Sequence, residues 1–296
     1  MDEQAAQTEH FPAQTKRFAG VVAVLVLVFI VPLWRLVRFA AGDELHSYII
    51  LMPAVSLYLA WPGKKKLPQI STPVKVPAAI FFAAGLGVMA WHRHTPHLPV
   101  IDGLSQTTLA FLLLLTGAGF WILGGALMRA VSFPFALLVF MIPFPDFLRN
   151  AVESGLQHGS AAVAGWMFAV SDVPVYQDSM SFRLPGISLM VAPECSGIHS
   201  TVVLFITSLV AGHFFLRSPR NRAILCLAVI PLALLRNGFR IFVLGELCTH
   251  IGPQMIDSPI HHHGGPLFFA LSLVPFFLLL YWLKRSERAG ERPVKT

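Results

Sequence analysis

Three groups of side chains in this 296-residue chain have the types and spacing for chemistry. The first is "APECSGIHS", Ala192 to Ser200, which sets Cys195, Ser196 and Gly197 directly ahead of an apolar run. A cysteine at the start of a helix lies near unsatisfied N–H groups and the positive end of the helix dipole, which favours the nucleophilic thiolate. The negative charge of Glu194 opposes that unless a cation answers it, and a single cysteine also commonly serves as a small packing residue. The second group is "LALLRNGFRIF". Arg236 and Arg240, four apart, share a helical face, and Asn237, three before Arg240, reaches the same side. Arginine within an apolar span must face a polar cavity or a partner and marks a functional site by default; for either arginine singly, the alternatives are snorkelling to the interface or pairing with Glu246. The third is "DSPIHHHGGPLFF". His261, His262 and His263 offer general acid/base chemistry or metal ligation. A zinc site would spread its ligands over a turn, with His250 or His46 completing it, and His262 and His263 also suit a solvated loop.

The elements that must position these groups cross a membrane. With 55% hydrophobic and 12% charged residues and a positive mean hydropathy, the chain lies outside the range of soluble domains. Apolar runs of about 20 residues, the length that crosses a bilayer, recur almost to the C-terminus. The predicted spans are 18–41, 47–62, 75–91, 105–128, 130–144, 196–216, 222–245 and 264–283. The first is too long for a secretory signal, is interrupted by Arg35 and Arg38, and lacks a small-residue cleavage site. The fold class expected is therefore an all-α polytopic membrane protein of about eight transmembrane helices. It forms a single integral membrane domain over 1–296, with a cytoplasmic tail at 1–17, a core at 18–283 and a second cytoplasmic tail at 284–296.

A net charge of +7 would suggest nucleic acid in a soluble protein, but here the basic residues cluster between spans, which points to lipid and no nucleic acid. Lys16/Arg17, Lys64 to Lys66, Arg129, Arg217/Arg220/Arg222 and Lys284/Arg285/Arg288 fall on one side if the spans alternate and 146–172 does not cross. Both termini are then cytoplasmic, and Cys195, Arg236, Arg240 and the histidines approach the outer face of the inner membrane.

Asp146 to Val170 begins amphipathic, with Arg149 and Glu153 four apart, and is read as an interfacial or re-entrant helix on the outer face. "VYQDSMSFRLPGISLMV" predicts one short β-hairpin turning at Pro185-Gly186. "HRHTPH", His92 to His97, reads as a polar outer loop. Asp43 and His46, in "DELHSYIILMP", either cap a span or line a substrate path. Cys226 and Cys248 read as packing residues, an extracytoplasmic setting also permitting a disulfide at Cys248. Three scattered cysteines exclude a disulfide framework and a CxxC metal site.

"ECSGIHS", then "NGFR", then "HHHGGPLFF", in that order on consecutive membrane segments, resembles the exosortase/archaeosortase family of membrane transpeptidases. Upstream, "HSYIILMP", "IPFP" and "SGLQHGSAAVAG" are similar to further family segments, so the resemblance runs from about residue 43 to 283. It implies Cys195 as the nucleophile, Arg240 of an Asn-x-x-Arg pattern as its cationic partner, and His261 of His-x-x-x-Gly-x-x-x-Phe as proton carrier, with Gly265 and Phe269 completing the spacing. Asn237, Ser196, Gly197, Arg236 and His263 support them. No cofactor and no metal is implied. The implied substrates are exported proteins that end in a recognition motif such as Pro-Glu-Pro, a transmembrane helix and a basic tail. They would be cut through a Cys thioester and passed to an acceptor. The sequence departs from the commonest pattern at His199, where arginine is usual, and at Glu194, where a small residue is frequent. A transporter using the intramembrane arginines, and a histidine-based metal-dependent hydrolase, are the rival readings. The first lacks an internal repeat and the second lacks HExxH.

Overall fold

Proline decides where the long helices break. In the computed structural model, which describes residues 2–60, 72–95, 97–171, 173–185, 187–192, 196–257 and 264–290, helix α1 (Asp2–Val28) and helix α2 (Ile30–Gly42) meet at Phe29 with a bend of 75°. Pro32 has no N–H to donate, and its ring crowds the carbonyl four residues back, which belongs to Val28, the last residue of α1. The same arithmetic recurs downstream. After α3 (Met52–Ala60), α4 (Lys75–His94) and α5 (Val100–Ile122), helix α6 (Gly124–Ala130) ends four residues before Pro134, and α7 (Ser132–Leu137) continues after a bend of 70°.

The chain divides into two compact units, 1–148 and 149–296. In the first, α4 and α5 lie lengthwise against each other, and Leu123, Leu127 and Met128 form a small core with Phe18 and Phe135. His46 joins two segments distant in sequence: its Nε2 accepts the Phe144 N–H at 3.3 Å, and its Nδ1 lies 3.4 Å from Asp43 Oδ2. Its side chain is fully buried. Ser105 Oγ donates to the Pro143 carbonyl at 2.8 Å, and Asp102 Oδ1 accepts the Asp146 N–H at 3.0 Å. "HSYIILMP" and "IPFP" are therefore one packed joint, and Asp43 and His46 belong to it as capping and core groups. His92 to His94 form the last turn of α4 rather than a loop, with His92 Nδ1 3.0 Å from Gln106 Oε1.

Helix α8 (Asp146–Val170), one unbroken helix of 25 residues, has all but its first three residues in the second unit. A three-stranded antiparallel sheet follows, β1 (Tyr176–Asp178), β2 (Ser181–Leu184) and β3 (Ile187–Met190), in the order β1-β2-β3. The expected hairpin is the β2–β3 pair, with Leu184 opposite Ile187; Gly186 of its turn lies outside the described residues. The sequence reading missed β1, whose three residues are all exposed. Phe182, Leu184, Leu189 and Val191 of the sheet region pack on Ala161, Ala164 and Phe168 of α8 and on Ile241.

Helix α9 (Ile198–Phe215) leads into α10 (Pro219–Leu227) and α11 (Val229–His250), which break at Ala228, three residues before Pro231, yet run as one span. Helix α12 (Gly265–Gly290) closes the described chain. Leu204 and Ala211 of α9, Leu225, Val229, and Phe276, Leu280 and Leu283 of α12 form a second core.

Among the described residues five helices are long and apolar enough to cross a membrane, or seven if each bent pair is one span. Each has a counterpart among the predicted spans. The remaining prediction, 47–62, corresponds to the shorter apolar segment Ser47–Ala60. The boundary expected near residue 129 falls instead at Gly124, whose φ of 77° ends α5's course.

Candidate active site

The site is built where α11 meets the turn into α9, while another side of α11 packs against α8. A Cβ added to Gly238 would lie 2.6 Å from Val163 Cγ1 and 3.1 Å from the Ala164 nitrogen, so only glycine lets the two backbones approach this far. Arg236, two residues before it and so on the other side of α11, faces the turn at Gly197, as does Asn237; Arg236 is 8% exposed and Asn237 2%. A buried guanidinium needs acceptors. Arg236 Nη2 donates to the Gly197 carbonyl at 3.1 Å, while its buried Nη1 has no hydrogen-bond partner among the described residues. The Gly197 carbonyl also accepts the Thr201 N–H at 3.0 Å and the Thr201 hydroxyl at 2.8 Å.

Gly197 adopts a φ of 70°, in the left-handed region that glycine enters without a Cβ penalty. Its lack of a side chain is needed a second time, since a Cβ would lie 2.6 Å from Arg236 Nη2 and 3.2 Å from Asn237 Oδ1. Ser196, buried, turns the chain into α9 by accepting the Ile198 N–H on its Oγ at 3.4 Å. Four of the residues singled out by sequence, Ser196, Gly197, Arg236 and Asn237, are thus brought together. Arg240 lies one turn further along α11 and is half-buried. Cys195, His261 and His263 lie outside the described residues, as do Glu194 and His262.

A second anchor precedes the first. Gln157 of α8, 8% exposed, donates through Nε2 to the Val191 carbonyl at 3.1 Å, and the Val191 N–H is donated to the Met180 carbonyl at 2.9 Å. Val191 and Gly197, which flank "APECS" in the sequence, thus each have their backbone carbonyl held by a buried side chain, Gln157 and Arg236 respectively. Sequence reasoning missed Gln157. Its signal was present: a long amide on a helix face otherwise made of Leu156, Ser160, Ala161 and Ala164 must find a partner once buried.

The alternatives for Arg236 are resolved by geometry. It does not pair with Glu246, whose Oε2 lies 3.2 Å from His250 Nε2 one turn along. Cys226, with Sγ 3.4 Å from Ser208 Oγ, and Cys248, 2% exposed, are free thiols in packed surroundings. Among the described residues no three histidine, cysteine, aspartate or glutamate side chains gather as a metal set, and the histidines of the metal reading lie outside that range.

Long apolar helices and a buried arginine turned onto a backbone turn define a multi-pass membrane protein with a polar centre inside its bundle. The sequence pattern described as transmembrane exosortase matches residues 34–278, most of the chain, and the chain belongs to that family. At the family's level of generality this is a membrane transpeptidase or protease role. No curated protein and no solved structure matches the chain.

Proposed function

We propose that the chain is a cysteine transpeptidase of the inner membrane that removes the C-terminal transmembrane tail of exported proteins at the outer face. The observation that carries this reading is the Arg236–Gly197 hydrogen bond, which ties the residue directly before "NGFR" to the glycine of "CSG", two segments that the family resemblance pairs in one reaction. Further support comes from α9, which begins at Ile198, three residues after Cys195. A helix start at that separation offers free N–H groups to a thiolate.

In this mechanism the Cys195 thiolate attacks the scissile carbonyl, forming a C–S bond and a tetrahedral oxyanion. Arg240 offsets the negative charge first on the thiolate and then on the oxyanion. Collapse breaks the C–N bond, His261 gives a proton to the leaving amine, and the exported protein is left as a thioester on Cys195. An acceptor nucleophile then loses its proton to His261, attacks the thioester and releases the thiolate. Asn237, Ser196, Gly197 and Arg236 hold the turn, and His263 is the neighbour of the proton carrier. The substrate is a protein ending in a recognition motif of the Pro-Glu-Pro kind, a transmembrane helix and a basic tail, which matches an enzyme that receives it within the bilayer.

The test is to co-express such a substrate and isolate the enzyme under acid conditions. A substrate fragment in thioester linkage to Cys195, released by hydroxylamine and absent in Cys195→Ser, is the expected result. Processing by Cys195→Ser at the wild-type rate would sink the assignment.

A further inference from the structure

The opposite end of the second unit carries a pocket that the proposed reaction does not use. It has a volume of about 370 Å³ and is bordered by Arg217, Arg222, Lys284, Arg288, His213 and Glu287. The pocket is a built feature, because Glu287 of α12 holds the turn between α9 and α10. Glu287 Oε2 accepts the Arg217 N–H at 2.9 Å, and its Oε1 accepts the Ser218 N–H and the Asn221 amide, each at 2.9 Å. The single carboxylate is thereby committed to three donors. Arg222 directs Nε onto the Leu216 carbonyl at 2.9 Å, and Lys284 Nζ lies 4.9 Å from the Phe215 ring centroid.

Four cations against one engaged carboxylate leave the pocket positive, so its complement is an anion. The surroundings say which kind. Phe214, Phe215, Tyr281 and Trp282 are exposed beside it, on helices that span the membrane, which is the aromatic and cationic arrangement of a bilayer interface. Arg222 and Arg240 lie on one span, 18 residues or about 27 Å apart along the helix axis, close to the thickness of the hydrocarbon core. The pocket thus lies at the membrane face opposite to Arg240. By the charge distribution of the loops, this is the face richer in anionic lipid.

We propose that this pocket binds the phosphodiester headgroup of an anionic phospholipid, with Arg222, Lys284 and Arg288 as the phosphate-contacting cations. Arginine presents paired donors to phosphate oxygens, and lysine adds a point charge. The flanking aromatic side chains then meet the acyl chains.

The experiment uses the full chain purified in neutral detergent and titrated with phosphatidylglycerol, with phosphatidylcholine and inorganic phosphate as separate arms. Bound lipid is read by native mass spectrometry and stability by the unfolding temperature. The expected result is retained phosphatidylglycerol and a raised unfolding temperature in the wild type, neither being produced by the other two arms. Affinity should fall by roughly ten- to thirtyfold in Lys284→Gln/Arg288→Gln. The control is Arg220→Gln/Arg285→Gln, which removes the same charge from positions that do not line the pocket, and which should bind as the wild type does. Equal affinity in the wild type and Lys284→Gln/Arg288→Gln, or equal loss in both double variants, overturns the site. Stabilisation by inorganic phosphate equal to that by lipid overturns the lipid source. If lipid retention survives while processing is lost in Cys195→Ser, the two proposals have been tested separately.

Discussion

Both ends of the second unit present arginine near a helix junction, and the two ends treat it in opposite ways. At one end Arg236 is 8% exposed and spends Nη2 on the Gly197 carbonyl. At the other, Arg217, Arg222, Lys284 and Arg288 border an open pocket, and the carboxylate among them serves backbone donors. The difference is made by neighbours. Gly197 lets its backbone close onto Arg236, whereas Phe214 and Phe215 stay on the surface beside the basic pocket. Burial makes a guanidinium a fixed donor with one geometry; exposure leaves it a charge available to a ligand.

Substitutions should separate the two ends, and the largest effect is expected on α11. Arg240→Lys keeps the charge but loses the planar pair of donors, and should lower processing by about 10²- to 10³-fold. Arg236→Lys, which still reaches a backbone carbonyl, should cost about tenfold. Rates of substrate cleavage per folded enzyme check this, and the reverse ranking would make Arg236 the residue at the reacting atoms.

Gly197→Ala comes next. A Cβ there suffers the left-handed backbone, at about 1–2 kcal/mol, and meets Arg236 Nη2. The variant should insert normally yet process at least about tenfold more slowly, in proportion to a displaced arginine. Gly265→Ala offers the contrast, since among the described residues nothing lies within 4 Å of the added atom, and it should retain most activity. Comparable losses in both would mean that the tight fit at Gly197 is not what matters.

A smaller effect is expected from Gln157→Leu. It removes the donor to the Val191 carbonyl and leaves that acceptor buried, a loss of about 1–3 kcal/mol spread between stability and alignment. The catalytic rate should fall several-fold with KM little changed, and Gln157→Asn, too short to reach, should behave alike. A drop in unfolding temperature with an unaltered rate per folded enzyme would confine Gln157 to the fold.

The smallest is Glu287→Gln at the basic end. One of three hydrogen bonds meets a donor instead of an acceptor, and the unfolding temperature should fall by about 2 °C, with processing unchanged. Loss of processing there would couple the two ends and break the contrast between them.

Much of the architecture was legible before any fold was known. Hydropathy alone marks the spans, because a bilayer selects for length and apolarity, which are additive along the chain. The hairpin at Pro185-Gly186 is likewise local, since turn residues act on their own backbone. The bends at Phe29 and Val131 were not read, although Pro32 and Pro134 each crowd the carbonyl four residues back; hydropathy is blind to them. The order of "CSG", "NGFR" and "HHHGG" carried the family resemblance. β1 was not legible: three exposed residues carry no alternation strong enough to declare a strand.

What only the tertiary structure decided is which polar group answers which. Gln157 meets Val191 across 34 positions, Arg236 meets Gly197 across 39, and Glu287 meets Arg217 across 70. No periodicity encodes such pairs. On a one-dimensional reading Glu246 is as plausible a partner for either Arg236 or Arg240 as any backbone carbonyl. The choice falls to whichever acceptor the packing of α11 beside α9 brings within hydrogen-bond reach, and a buried donor takes it because being left without one costs more than any local preference.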